Sequence, residues 1–193
     1  MGNAIYKRKK KLCIFAEKNM IYKLNVSNTQ KIIEEIGLQL MIAAKTAPKT
    51  RGKNSIEIIM LTDDDKCELA KIMDELSNTK STEFFRRDAE NVRNAQAVLL
   101  VAVDKEVKGL NCGYCGFNCS EKPTTIPCVF NVIDLGIALG SVVSSAMHYK
   151  VDNRIMYSAG KAALKMQLFD KNMPIILAIP LSASEKNIFF DRK

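Results

Sequence analysis

The chain has 193 residues, of which 47% are hydrophobic and 26% charged, the ordinary balance of a globular domain with a hydrophobic core. It contains one histidine, His148, so an imidazole-rich metal site is excluded. The net charge is +8, and residues 1–31 hold eight Lys or Arg against one acid. We therefore predict a basic, solvated N-terminal arm over residues 1–26, and not a basic face for nucleic acid over the rest.

Hydropathy predicts neither a secretory signal nor a membrane span. The apolar run after the KRKKK stretch is interrupted by Glu17 and Lys18. The longest apolar segment, around residues 135–147, is shorter than the roughly 18–20 residues that cross a bilayer. We expect a cytoplasmic protein without membrane contact. Because cytoplasmic thiols stay reduced, clustered cysteines in such a protein suggest metal or redox chemistry.

The first predicted elements are a helix, a strand and a second helix. Ser27 and Gln30 fit an S-x-x-Q capping box at the start of a helix that Pro48 ends. The β-branched run at residues 55–61 predicts a strand. Three aspartates follow this strand and suit the first turn of a helix over residues 63–76.

The second half of the chain continues this alternation. The patterns predict helices at residues 81–95, from Asn131 onward and at 158–169, and strands at 95–103 and 173–181. The run at 95–103 is continuously apolar, as expected of a buried strand. Helices and strands joined by short links indicate an α/β or α+β sandwich of a sheet and helices, and we predict one domain over residues 27–193. A cysteine-rich loop at 109–128 is inserted into that domain.

That loop holds four of the six cysteines in the pattern C-x2-C-x3-C-x8-C: Cys112, Cys115, Cys119 and Cys128. Four thiolates are the ligand set of an iron–sulfur cluster, and C-x2-C places two sulfurs on adjacent corners. Glycines after two of the cysteines would let the backbone fold tightly around a cluster. The lysines at positions 105, 108 and 122 are expected to offset its negative charge. The pattern therefore predicts a 4Fe–4S site.

Structural zinc is the alternative metal. Four cysteines also bind zinc tetrahedrally, usually as two C-x2–4-C pairs. Here the x3 and x8 spacings do not make a second pair of that kind. With zinc, the chain would be an interaction module with a basic arm and no enzymatic activity.

The cysteine segment and its surroundings carry a family resemblance. The blocks GLNCGYCGFNC, PCVFNVIDLGIALGS and IPLSASEKNIFFDR resemble an uncharacterised prokaryotic family that contains a ferredoxin domain, over about Asn28 to Arg192. The segment NCGYCGFNC is also similar to the short 4Fe–4S motif of electron-transport proteins, which often reads C-x2-C-x4-C. The spacing before the third cysteine is one residue shorter here.

A second block, LMIAAKTAPKTRGKNSIEIIML, is similar to the opening of nitroreductase-like flavoproteins. This resemblance implies a nitroreductase-like α+β sandwich, a homodimer, and FMN at the subunit interface. The Arg-Ser-x-Arg phosphate motif of those proteins is missing, and Lys49, Arg51 and Lys53 replace the polar residues expected after A-P. These three cations, together with Lys186 in the C-terminal tail, are the candidate flavin-binding residues.

Together, the residues and the resemblances predict a cytoplasmic redox protein that binds a 4Fe–4S cluster and FMN and acts in electron transfer. A flavin-dependent oxidoreductase activity would follow from FMN. No residue is assigned as a catalytic acid or base, and no redox partner is assigned.

Overall fold

Helices and strands alternate along the chain, as predicted. The computed structural model describes residues 23–169 and 173–190, so the basic arm lies almost wholly outside the described residues. The elements are α1 Val26–Thr46, a 3-10 turn Thr50–Gly52, β1 Ile56–Leu61, α2 Asp63–Leu76, α3 Phe84–Asn94, β2 Ala97–Val103, α4 Val129–His148, β3 Asp152–Asn153, α5 Tyr157–Met166 and β4 Ile175–Ser182.

The sheet is antiparallel, with the strand order β1-β2-β4-β3. Strand β2 is central, and all seven of its residues are buried, as its continuous apolar sequence predicts. Its side chains alternate between two hydrophobic cores. Leu99 and Val101 face one core, and Val98 and Leu100 face the other. The central strand therefore stabilises both halves of the fold.

Helices cover both faces of the sheet. The core on one face includes residues of α2, α3 and α5, and the core on the other face includes residues of α1 and α4. This three-layer arrangement confirms the predicted α+β sandwich of a sheet and helices. It also determines the position of the cysteine loop, which leaves the end of β2 and returns at the start of α4.

The predicted N-terminal cap of α1 is wrong by two residues. The helix begins at Val26, because Asn25 and Asn28 form the capping box. The Asn28 N–H donates to the Asn25 Oδ1 at 3.0 Å, and the Asn25 N–H donates to the Asn28 Oδ1 at 2.7 Å. Ser27 therefore lies inside the helix. The Gln30 side chain instead donates to the carbonyl oxygen of Gln96 at 3.0 Å, which ties α1 to the start of β2.

Helix α4 is longer than its sequence suggested. It has 20 residues and a mean hydropathy of 1.6, so its length and composition would allow it to cross a membrane, which corrects the expectation that this segment is too short. One face of α4 packs in the core through residues such as Leu135, Leu139 and Val142. Its one charged residue, Asp134, is also buried. The buried face is that of a core helix, and the opposite face remains exposed.

We expect Gly160→Ala to destabilise the fold by about 2 kcal/mol or more, as overpacked cores do. Helix α5 lies so close to β4 that an added Cβ at Gly160 would come within 1.8 Å of the carbonyl oxygen of Ile176. That backbone atom cannot rotate away. Urea unfolding would measure the loss, with the exposed neighbour Lys161→Ala as the control. Equal unfolding midpoints for the two variants would contradict the close approach.

Candidate metal-binding loop

The loop between β2 and α4 contains turns and bends but no helix or strand. It carries the four clustered cysteines, and the described cysteines are all free thiols. Two glycines that follow cysteines, Gly113 and Gly116, adopt φ values of 72° and 86°. Glycine enters this region more readily than residues with a Cβ. The N–H of Gly116 donates to the carbonyl oxygen of Gly113 at 2.8 Å, so the C-x2-C segment forms a tight turn.

Two contacts bring distant parts of the loop together. Asn111 and Cys119 form two hydrogen bonds. The Asn111 N–H donates to the Cys119 Sγ at 3.3 Å, and the Cys119 N–H donates to the Asn111 Oδ1 at 3.0 Å. The ring of Tyr114 stacks on Phe130, with centroids 5.9 Å apart and an interplanar angle of 22°. Phe130 lies in the first turn of α4, two residues after Cys128. The first contact links the start of the loop to the third cysteine, and the second links the C-x2-C turn to the helix that follows the fourth.

The four thiols differ in their surroundings. Cys112, Cys115 and Cys119 are partly exposed, whereas Cys128 is buried and occupies the N-cap position of α4. Within residues 23–169 and 173–190, no group of three or more His, Cys, Asp or Glu side chains is arranged to hold a metal ion. Four thiols on one loop are the donor set of a thiolate-bound cluster, but their placement does not gather them around one centre. The thiols have to move closer together to ligate one centre.

A buried ion pair anchors the start of the loop. Lys108 and Asp134 are 3% and 1% exposed, and their charged groups lie 3.1 Å apart. The Lys108 ammonium also donates to the Lys53 carbonyl oxygen at 3.0 Å and lies 2.9 Å from the Ser55 hydroxyl. Asp134 accepts hydrogen bonds from the Thr50 N–H at 2.9 and 3.1 Å and from its hydroxyl at 2.8 Å. The pair thus joins the loop, helix α4 and the turn before β1.

This pair corrects one expectation about charge. Lys108 was expected to offset a cluster's negative charge, but Asp134 neutralises it inside the protein. Lys122 donates to the carbonyl oxygens of Pro123 and Ile126, so it stabilises the fold of the loop itself. Sequence spacing alone could not identify the partner of Lys108, which lies on a helix that begins after the loop.

The turn that holds three candidate flavin residues lies beside the loop. The Lys49 ammonium donates to the carbonyl oxygens of Ala44, Lys45 and Ala47 at 2.8–3.0 Å, so its charge caps the end of α1. The pKa of Lys49 is lowered, mainly because the ammonium is partly buried. The charge of Asp134 acts in the opposite direction, and the charge of Lys108 adds to the lowering. Arg51 has a φ of 58° and donates through Nη1 to the Lys108 carbonyl oxygen at 2.8 Å.

Lys186 does not join this turn within one chain. The turn leads into Ile56, which pairs with Val103, the last residue of β2. Lys186 follows Ser182 at the end of β4, where Leu181 pairs with Ala97, the first residue of β2. The two segments therefore lie at opposite ends of a sheet about 20 Å long. The strand register thus separates Lys186 from the other three candidate residues along the sheet, and flavin binding by these residues stays a prediction.

Asn131 is a buried polar residue that the sequence did not single out. Its Nδ2 donates to the carbonyl oxygens of Asp104 and Glu106 at 3.1 and 2.7 Å, and to the Asp104 carboxylate at 2.9 Å. Its Oδ1 is buried and has no hydrogen-bond partner among the described residues. This side chain fixes the first residues of the loop against the first turn of α4, three residues after Cys128.

Solved structures define the class of fold as nitroreductase-like. A nitroreductase with bound FMN from Desulfitobacterium hafniense superposes with a TM-score of 0.57 at 14% identity, covering 79% of this chain and 79% of that chain. An FMN-dependent nitroreductase from Clostridium difficile superposes with a TM-score of 0.50 at 15% identity, covering 79% of this chain and 77% of its own. At these identities the likeness establishes the fold alone.

Sequence comparison defines the family. A protein of Archaeoglobus fulgidus described as an "Uncharacterized protein" is 40% identical over 162 residues, which cover 78% of this chain and 86% of that protein. The family model described as "Uncharacterized protein containing a ferredoxin domain (DUF2148)" matches residues 124–192. The chain belongs to this family, which confirms the resemblance seen in its sequence. The matched segment includes Cys128, whereas the other three clustered cysteines precede it.

Proposed function

We propose that this chain is a cytoplasmic electron-transfer protein that binds a 4Fe–4S cluster through Cys112, Cys115, Cys119 and Cys128. The observation that carries the proposal is the folded-back loop, which places four free thiols between β2 and α4. The family's ferredoxin description supports a redox role. When bound, such a cluster supplies one-electron transfer.

The residues of the chain itself have defined tasks in this proposal. The four thiols would be the ligands, and the Lys108–Asp134 pair fixes the start of the loop against α4. The Tyr114–Phe130 stack holds the C-x2-C turn against the first turn of α4, which begins directly after the fourth cysteine. Because Tyr114 is 71% exposed, the stack leaves this side of the loop open to solvent and to an electron-transfer partner.

Absorption spectroscopy of the anaerobically purified protein tests this proposal. We expect a brown sample with broad absorbance near about 400 nm, typical of iron bound by thiolates and sulfide. A colourless sample loaded with zinc would contradict the electron-transfer function and favour a structural metal loop. The same absorption spectrum would reveal bound flavin as a separate pair of bands.

We also propose that the chain forms a homodimer through the exposed face of α4. Val132, Ile133 and Ile137 are 41–42% exposed, and Met147 near the end of the helix is 70% exposed. The one charged side chain of this helix is the buried Asp134, so the exposed face is uncharged except near His148. A long apolar stripe of this kind usually marks an interface. The partner most consistent with an uncharged stripe on a nitroreductase-like fold is a second copy of the chain.

We expect Ile137→Glu to convert this dimer to a monomer, because it places a carboxylate in the middle of the apolar face. Sedimentation velocity on the purified protein would measure the change. The control is Lys71→Glu, an exposed position on α2 at the opposite face of the sheet. A wild-type chain that sediments as a monomer, or an Ile137→Glu variant that remains dimeric, would contradict an interface at this face.

FMN is proposed as a second cofactor of the dimer. The solved nitroreductases named above are described with FMN, and Arg51 and Lys53 lie on a turn that is bonded to the start of the cysteine loop. Cationic side chains at this position would bind the phosphate group of FMN. Quenching of FMN fluorescence on titration with the protein tests the proposal, and unchanged fluorescence at saturating protein would overturn it.

A further inference from the structure

Asn111, the residue directly before Cys112, makes a two-way contact with Cys119. Its backbone N–H donates to the Cys119 Sγ at 3.3 Å, and its Oδ1 accepts from the Cys119 N–H at 3.0 Å. The contact closes a segment of the loop that contains Cys112, Cys115 and Cys119. One residue therefore acts on both the sulfur and the backbone of a cysteine eight positions further along the chain.

The backbone conformation of Asn111 is suited to this contact. Its φ is 48°, in the left-handed region that few residues other than glycine and asparagine adopt readily. Closing a loop costs conformational entropy, and a contact present before metal binding has already offset part of that cost. Hydrogen bonds to the sulfurs are also among the factors that set the reduction potential of an iron–sulfur cluster.

We propose that Asn111 is a positioning residue for the metal-binding loop. Its carboxamide holds Cys119 near the C-x2-C turn before metal arrives, and this restraint strengthens the binding of metal by the loop. The first half of this inference concerns the metal-free chain, and the second half rests on the proposed function. The two halves therefore require separate measurements.

Two substitutions separate the side chain from the backbone conformation. Asn111→Gly retains access to a φ of 48° but removes the oxygen that accepts the Cys119 N–H. Asn111→Asp retains an acceptor oxygen at the same position. If only the backbone conformation mattered, glycine would replace asparagine without loss. If the side chain holds Cys119, glycine fails and aspartate restores the contact.

Alkylation of the reduced, metal-free protein tests the first half. Peptide mass spectrometry would follow the modification of Cys119, with the exposed Cys67 on α2 as an internal reference. We expect faster alkylation of Cys119 in Asn111→Gly and a rate near that of the wild type in Asn111→Asp. An unchanged rate in Asn111→Gly overturns the proposal, whether or not the chain binds metal.

Cobalt binding tests the second half. Titration of the reduced protein with Co²⁺, followed by the sulfur-to-cobalt charge-transfer band, should show affinity about tenfold lower for Asn111→Gly, as expected on losing an outer partner of a ligand. Asn111→Asp should bind nearly as the wild type does. Equal affinity of the glycine variant and the wild type overturns the positioning role. If the wild type binds no cobalt, the second half of the inference fails, whereas the proposed cluster is judged by the iron and sulfide content of the reconstituted protein. The alkylation result still decides the role of Asn111 in the metal-free loop.

Discussion

Replacing Cys115 with serine is expected to remove the iron of the anaerobically reconstituted protein, together with its absorbance near about 400 nm. A hydroxyl is a poor substitute for a thiolate, and Cys115 is the second sulfur of the C-x2-C pair. Iron analysis and absorption spectroscopy of the same sample would measure the loss. Since the side chain is partly exposed, the substitution should leave the hydrophobic core unchanged.

Cys67→Ser is the matched control for this experiment. Cys67 is an exposed thiol on α2, on the opposite side of the sheet from α4. This variant should reconstitute like the wild type, which excludes a general effect of losing one thiol. Iron that is retained in Cys115→Ser, or lost equally in both variants, would contradict the assignment of the loop cysteines as ligands.

The second large effect is expected for Asp134→Asn, which should lower the free energy of unfolding by about 3–5 kcal/mol. The substitution leaves the Lys108 ammonium buried without its counter-charge, and it weakens the acceptor that Thr50 uses twice. Urea unfolding monitored by circular dichroism would measure the loss. The destabilisation should also loosen the start of the cysteine loop and reduce its metal loading.

A double substitution tests whether the pair itself causes this loss. Lys108→Met combined with Asp134→Leu removes both charges and fills the space with apolar atoms, a change that is often close to neutral for a buried pair. We expect the double variant to be more stable than Asp134→Asn. Strictly additive losses from the two positions would indicate that the charges do not interact, and would contradict the role of the pair as an anchor.

The framework of the fold could be predicted because its signals are local. The continuous apolar run of β2 predicted a buried strand, and the aspartates at residues 63–65 predicted the first turn of α2. The start of α1 was misplaced because Ser27 and Asn25 are both suitable N-cap residues. Only the structure shows that Asn25 and Asn28 form the reciprocal hydrogen bonds of the capping box. Helix caps of similar chemistry two residues apart cannot be ranked from sequence.

The candidate site was less predictable because its contacts span the sequence. The cysteine spacing identified the loop and its donor atoms. The partner of Lys108 is 26 residues away on α4, and Thr50, which donates to the same carboxylate, is 84 residues away from it in sequence. Asn111 gave no signal, since an asparagine before a cysteine is unremarkable until its φ and its contact with Cys119 are known.

The candidate flavin residues show the limits of predicting a binding site from a family resemblance. It singled out three cations of the turn at residues 49–53, and the structure shows that this turn is bonded to the start of the cysteine loop and that the Lys49 ammonium caps α1. It also grouped this turn with Lys186, which lies at the other end of the sheet.

The content of iron and acid-labile sulfide per chain, measured after anaerobic reconstitution of the wild-type protein, tests the central claim most directly. Four thiolates on one loop predict about four irons and about four sulfides per chain. About one zinc per chain without sulfide would contradict the claim, and so would iron that is not accompanied by an equal amount of sulfide.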